Sequence, residues 1–249
     1  MNPRDTNLGY FNRRSAEAYP DKTALIDLSR KPDRLITHGE LNQRMDLVAA
    51  TLNALGMAAG DRLLLAMSNR FEFIEIFFGS MRAGIIPIPL NIKLGAETIE
   101  FIIKDSGCRG AVIEPGCHPQ LVDVVESHNL DTNIAVEPVP TGWLNYNEAL
   151  SEAEQKSFSP KPIQPEQIAF LPYTSGSTGR PKGVLLTHEG MLWGIRTAQQ
   201  YWPCKPTERT LVAGPLFHKN AMRVSIKPKL YAGASAVILP RFEPRIMLQ

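Results

Sequence analysis

The sequence predicts an α/β protein with parallel-rich sheets and helices on both faces. Short apolar runs alternate with stretches of helical apolar spacing along the chain. The helical stretches are long enough to carry the chain back between parallel strands. Composition agrees: 43% of the 249 residues are hydrophobic and 21% charged, enough apolar surface to offset chain entropy.

The elements follow in order. Leu8, Phe11, Ser15 and Ala18 share one face of a helix expected from Asn7 to Ala18, which Pro20 stops. TALIDL, residues 23 to 28, reads as a buried strand. Thr37 and Glu40 have capping-box spacing, and Leu41, Met45, Val48, Leu52 and Leu55 form the apolar stripe of the helix they start. Gly56 closes it, and RLLLAM at 62 to 67 is a further buried strand.

Phe71, Ile74, Phe77, Phe78 and Met81 then recur at helical spacing up to Gly84. IIPIPL, 85 to 90, carries two prolines, which favour a short or edge strand. Helix Glu97 to Asp105, strand GAVIE at 110 to 114 and a weaker helix Gln120 to Ser127 continue the alternation. The Pro-rich stretch 157 to 167 reads as a linker between two sub-lobes, about 1–160 and 166–249. IAFLPY is strand-like, as is VLLT at 184 to 187, after which Thr187 or His188 begins a helix through Met191, Leu192, Ile195 and Ala198. TLVAG, PLFHKNAMRV and SAVILP give strand, loop plus helix, and strand. No internal repeat or low-complexity tract interrupts this order.

Several function classes drop out. The formal charge is +2, so nothing global attracts a nucleic acid. Cys108, Cys117 and Cys204 lack the paired spacing of a structural zinc site and fit reduced thiols in a cytoplasm. The first twenty residues carry no apolar signal-peptide core, and no apolar run approaches the ~18 residues of a membrane span.

The chemistry concentrates in YTSGSTGRPKGV, residues 173 to 184. Gly176, Gly179 and Gly183 allow positive φ and close approach to a ligand, so successive N–H groups can converge on an anion. Thr174, Ser175, Ser177 and Thr178 add hydroxyl donors, and Lys182 adds a mobile cation. A solvated Gly/Ser linker is the plainer alternative, but linkers rarely place Pro-Lys-Gly at a strand boundary. The pattern is not the familiar P-loop, because Lys182 is followed by Gly183 and not by Ser or Thr.

YTSGSTGRPKGV, with Thr187-His188 after it, resembles the phosphate-binding signature of the adenylate-forming (AMP-binding) superfamily. Acyl-CoA synthetases, firefly-type luciferases and peptide-synthetase adenylation domains belong to it. The likeness extends to DRLLLAMSNRFEFIEIFFGSMRAGIIPIPLN, IIKDSGCRGAVIE, PLFHKNAM and RFEP, and so covers essentially the whole chain.

The resemblance implies part of the large N-terminal domain of an acyl-CoA synthetase, with ATP, Mg2+ and CoA taking part in a two-step reaction. A carboxylate attacks the α-phosphate of ATP, giving an acyl-adenylate and pyrophosphate; a thiol then displaces AMP. Thr174 to Gly179 would wrap the β- and γ-phosphates and Lys182 would balance their charge. His218 is expected to line the acyl pocket or gate the thiol tunnel, with a packed or helix-capping histidine as the alternative. The family's magnesium-binding glutamate, ribose-binding aspartate and catalytic lysine have no counterpart motif in this sequence, so no catalytic or metal residue is assigned and the chain reads as an N-terminal portion, inactive alone. A stand-alone nucleotide-binding or regulatory module, and an adenylation domain loading a carrier protein, stay open as alternatives.

The other histidines, His38, His118, His128 and His188, have no spacing that suggests a metal or a triad and read as surface or capping groups. Met191, Trp193 and Ile195 have the helical spacing of core residues rather than of an adenine-stacking box. Cys204 could be taken for a nucleophile, but the sequence shows no base or positive group placed to lower its pKa.

Overall fold

A computed structural model describes residues 2–156, 158–160, 162–175 and 179–244. The chain starts with a short helical turn, α1 (Pro3–Thr6), a 3-10 turn (Leu8–Tyr10) and α2 (Arg13–Ala18), so the single helix expected over Asn7–Ala18 is broken. Asn7 is the reason. Its side-chain oxygen accepts from Gly9 N–H at 2.8 Å while its amide donates to Met81 O at 2.7 Å, so a tertiary bond holds the turn out of helical register.

β1 (Thr23–Asp27) and β2 (Arg34–Thr37) lead into α3 (His38–Ala54). Thr37 caps α3 by accepting from Glu40 N–H at 3.1 Å. The Glu40 carboxylate pairs with Arg34 at 3.3 Å, so Glu40 supports β2 from the helix side. β3 (Arg62–Ala66), α4 (Phe71–Arg82) and β4 (Ile86–Pro89) follow as the periodicity predicts. So do α5 (Ala96–Ser106), β5 (Gly110–Ile113) and α6 (Leu121–Glu126). The next three elements were not anticipated: β6 (Thr132–Ala135), β7 (Leu144–Asn145) and α7 (Tyr146–Ala153).

β3 to β7 form one five-stranded sheet in the order β4-β3-β5-β6-β7, parallel throughout. The proline-bearing β4 is at its edge, where missing N–H groups cost no ladder bond. Alternate residues of β3 serve two cores. Leu63 and Leu65 pack with apolar side chains of α3, α4 and α7, whereas Leu64 and Ala66 pack with those of α5 and α6. Helices therefore cover both faces, and continuous apolar strands are what such a sheet requires.

The second half of the chain contributes β8 (Ile168–Phe170), β9 (Tyr173–Thr174), β10 (Lys182–Gly183), β11 (Leu186–Thr187) and α8 (His188–Tyr201). β12 (Arg209–Val212), a π-helical turn (Ala221–Ile226), α9 (Lys227–Tyr231) and β13 (Ser235–Ile238) complete it. A four-stranded sheet, β12-β13-β1-β2, joins both halves: β1, β13 and β12 run parallel and only β2 is antiparallel. Asp27, fully buried at the end of β1, accepts from Phe71 N–H at 3.0 Å and so caps α4 from a different sheet.

Among the described residues no helix is long and apolar enough to cross a membrane. The same residues bring together no group of three or more His, Cys, Asp or Glu side chains able to hold a metal.

Candidate functional site

The Gly-rich stretch sits on a two-stranded antiparallel base. Thr174 on β9 stands opposite Lys182 on β10, and Tyr173 stands opposite Gly183. This short ladder sets the Lys182 backbone beside Thr174. Thr174, Ser175, Gly179 and Lys182 are exposed, as donors to a diffusible ligand must be. Gly179 has φ +86°, a conformation costly for other residues. At Gly183 a Cβ would come within 3.0 Å of Leu171 Cδ1 and 3.3 Å of the Tyr173 ring, so a larger residue would press on both side chains. Gly176, Ser177 and Thr178 lie outside the described residues.

The base of the loop is anchored on its inner side. Leu171 N–H donates to Pro87 O on β4 at 3.1 Å, Val184 N–H to Pro172 O at 2.9 Å, and the Tyr173 hydroxyl to Asp105 on α5 at 2.6 Å. Burial, together with the Asp105 carboxylate, raises the Tyr173 phenol well above its ordinary value and keeps it a neutral donor. The Arg180 guanidinium lies 6.0 Å from the centre of the Phe101 ring on α5. The base of the loop thus stands at the β4 edge of the five-stranded sheet with Thr174, Ser175 and Lys182 exposed.

A family model described as AMP-binding enzyme matches residues 12–249. The chain belongs to the AMP-binding enzyme family. It is 31% identical over 245 residues to a feruloyl-CoA synthase of an Amycolatopsis species, covering 98% of this chain and 46% of that protein. A long-chain-fatty-acid–CoA ligase of Mycobacterium tuberculosis, FadD13, is 29% identical over 95% of this chain and 46% of its own length. Among solved structures, ATP-bound MatB from Rhodopseudomonas palustris superposes with a TM-score of 0.82 at 25% identity, covering 97% of this chain and 47% of that one. The chain spans about half the length of the curated relatives it matches.

Beside the base of the loop the chain has a cavity of about 1070 Å³, bounded by β8, α8, the segment after β12 and the π-helical turn. His218 lines it, exposed, with Nδ1 accepting from Asn220 N–H at 3.3 Å. The segment that carries His218 is set by a residue absent from the sequence-based site. Asn69, buried after β3, accepts from Leu216 N–H at 2.7 Å and donates to Gly214 O at 2.9 Å and Leu239 O at 3.0 Å. One side chain thereby ties the end of β13 to the turn before His218. A polar residue within three positions of the end of an apolar strand was the sequence signal for it.

Three expectations are overturned here. Trp193 is 67% exposed and lines the cavity, because α8 turns Leu192 and Ile195 inward and Trp193 outward. Cys204 does have a positive neighbour: Lys229 Nζ lies 3.3 Å from its sulfur, brought there from 25 residues away and held by Glu208. His38 and His188 are both buried, whereas His118 keeps a capping role, its Nδ1 accepting from Gln120 N–H at 3.1 Å.

His188 couples the loop's exit to the N-terminus. It is 1% exposed and its Nδ1 accepts from Leu8 N–H at 2.9 Å, a bond that only the neutral ring can make. Burial pushes its pKa down to about 4. An unfolded imidazole takes up its proton near pH ~6.5. Between that value and about 4 only the unfolded chain binds the proton, so stability present above pH ~6.5 is lost as the pH falls toward 4. The loss amounts to at most ~3 kcal/mol. Urea midpoints at pH 7.5 and 5 should differ clearly more for the native chain than for His188→Gln. Equal losses in the two proteins would show that His188 is not the group responsible.

Proposed function

We propose that this chain is the phosphate-binding part of an ATP-dependent carboxylic acid–CoA ligase. The observation that carries the reading is the loop closed by Thr174 and Lys182, with Gly179 at positive φ and Gly183 pressed against Leu171 and Tyr173. Its exposed donors and the Lys182 cation suit a polyphosphate chain. Thr174, Ser175, Gly176, Ser177, Thr178, Gly179 and Lys182 would hold the β- and γ-phosphates, and His218 would line the acid pocket. ATP binding by a solved relative and the CoA-ligase names of the curated ones support the same reading. Mg2+ and CoA enter through the family alone, and no residue is assigned to them.

In the reaction the carboxylate oxygen bonds to the α-phosphorus and the bond to the pyrophosphate oxygen breaks. The thiolate of CoA then bonds to the acyl carbon and AMP leaves. Loop donors and Lys182 serve the first step, in which negative charge grows on the departing pyrophosphate.

Pyrophosphate release with ATP, CoA and a panel of carboxylates, measured on the protein that carries this chain, tests the proposal. Release that depends on the acid is the expected result; its absence across aliphatic and aromatic acids would overturn the ligase reading. The 249-residue chain alone is expected to give no sustained turnover, since its curated relatives act with about twice its length.

A further inference from the structure

The large cavity holds a cation that the phosphate chemistry does not use. Lys227 is 6% exposed, yet it lines the cavity. A buried lysine ordinarily extends its ammonium to water or pairs it with a carboxylate. Among the described residues Lys227 has no carboxylate partner: its Nζ lies 3.7 Å from Met191 Sδ and 5.9 Å from the centre of the Phe170 ring, and both of those side chains are also cavity walls.

The nearby charges are otherwise committed or of the same sign. Glu208 pairs with Lys229 at 2.5 Å. Arg223 adds positive charge. Burial first, and Arg223 second, push the Lys227 ammonium down to about 8, with no acidic group acting on it among the described residues. Desolvating an ammonium beside a thioether and a ring costs free energy that an anion in the cavity would offset.

Backbone geometry points to the same place. Lys227 directly follows the π-helical turn Ala221–Ile226. Such wide turns are rare and occur often at functional sites. The surrounding walls are otherwise largely apolar, with Phe77, Leu216, Phe217 and Met222 beside Phe170 and Met191. The volume of about 1070 Å³ is at the upper end of what small-molecule sites offer. A compact point charge at an apolar wall suits one carboxylate at the end of a hydrocarbon stem.

We propose that Lys227 binds a second carboxylate of the acid substrate, so that the acid activated by this protein is a dicarboxylic one. The word substrate rests on the ligase reading above; the carboxylate site itself does not.

Two probes separate the site from the reaction. Adipic acid monoamide carries one carboxylate opposite a neutral amide, and hexanamide has the same chain without the carboxylate. By calorimetry on the 249-residue chain without ATP, the monoamide should bind about ten- to hundredfold more tightly than hexanamide. Lys227→Met, which matches the neighbouring Met191 in character, should erase that difference, and Lys227→Arg should keep part of it. Thermal melts check that each variant is folded. If Lys227→Met does not fold, the ¹³Cε resonance of Lys227 in the native chain decides, since it should shift with the monoamide and not with hexanamide.

Equal binding of the two probes, no binding of either, or a preference that survives Lys227→Met would overturn the proposal. Pyrophosphate release with adipate against hexanoate, on the protein that carries this chain, reads the reaction separately. No turnover with any acid would sink the ligase reading and leave the binding result to decide the site, whereas turnover with equal kcat/KM for both acids would exclude the dicarboxylic substrate.

Discussion

Replacing Lys182 with alanine in the protein that carries this chain is expected to lower kcat for acid-dependent pyrophosphate release about ten- to hundredfold while changing KM for ATP much less. Lys182 is exposed on β10, opposite Thr174, where charge moving from the α-phosphate bridge onto pyrophosphate would meet it. Its interaction then strengthens between ground state and transition state, and losses of that kind appear in kcat. Lys182→Arg keeps the charge but spreads it over a planar fork, so partial rescue is expected. Steady-state kinetics with ATP varied distinguish the outcomes. An unchanged kcat with a raised KM would make Lys182 a uniform binding contact.

Arg82→Met is expected to cost the fold about 3–5 kcal/mol. Arg82 closes α4, fully buried, and its guanidinium donates to Gly9 O at 2.8 Å, Asn42 O at 2.7 Å and Asn42 Oδ1 at 2.9 Å. It also pairs with Asp46 at 2.9 Å and lies 4.3 Å from the centre of the Tyr10 ring. Methionine fills much of the volume but leaves two backbone carbonyls, the Asn42 Oδ1 and the Asp46 carboxylate without the Arg82 donor. Three segments meet at this one side chain: the N-terminal turn, α3 and α4. Arg82→Lys keeps the charge without the fork, so this variant should recover only part of the loss. Urea denaturation of the three proteins measures this. A loss below about 1 kcal/mol for Arg82→Met would mean that water or a shifted backbone replaces the bonds.

Much of the architecture was legible because local signals agreed with one another. Thr37 and Thr187 cap the helices that their positions announced, the latter by accepting from Gly190 N–H at 3.2 Å. The prolines of IIPIPL marked an edge strand correctly. What was missed had weaker or contrary signals. β6 is a polar pair, Thr132-Asn133, followed by Ile134 and Ala135, and its strand character comes from pairing in parallel with β5. α7 did have a start signal: Asn145 caps it by accepting from Asn147 and Glu148 N–H, the spacing of a capping box. VLLT shrank to Leu186–Thr187 because Val184 and Leu185 find no core to enter and are exposed.

The alternation of strands and helices, the family and the Gly-rich stretch could all be read along the chain, because periodicity, capping and backbone permissiveness act within a few residues. Folding had to be seen before it was clear which face of α8 is buried, how Asn69 sets the turn before His218, and that Lys229 stands beside Cys204. The same holds for Lys227, which ends against a thioether and a ring at the wall of a cavity. The reason is physical: burial and pairing of a charged or polar side chain depend on groups brought from distant parts of the chain, and the energy of a charge changes severalfold with the dielectric around it.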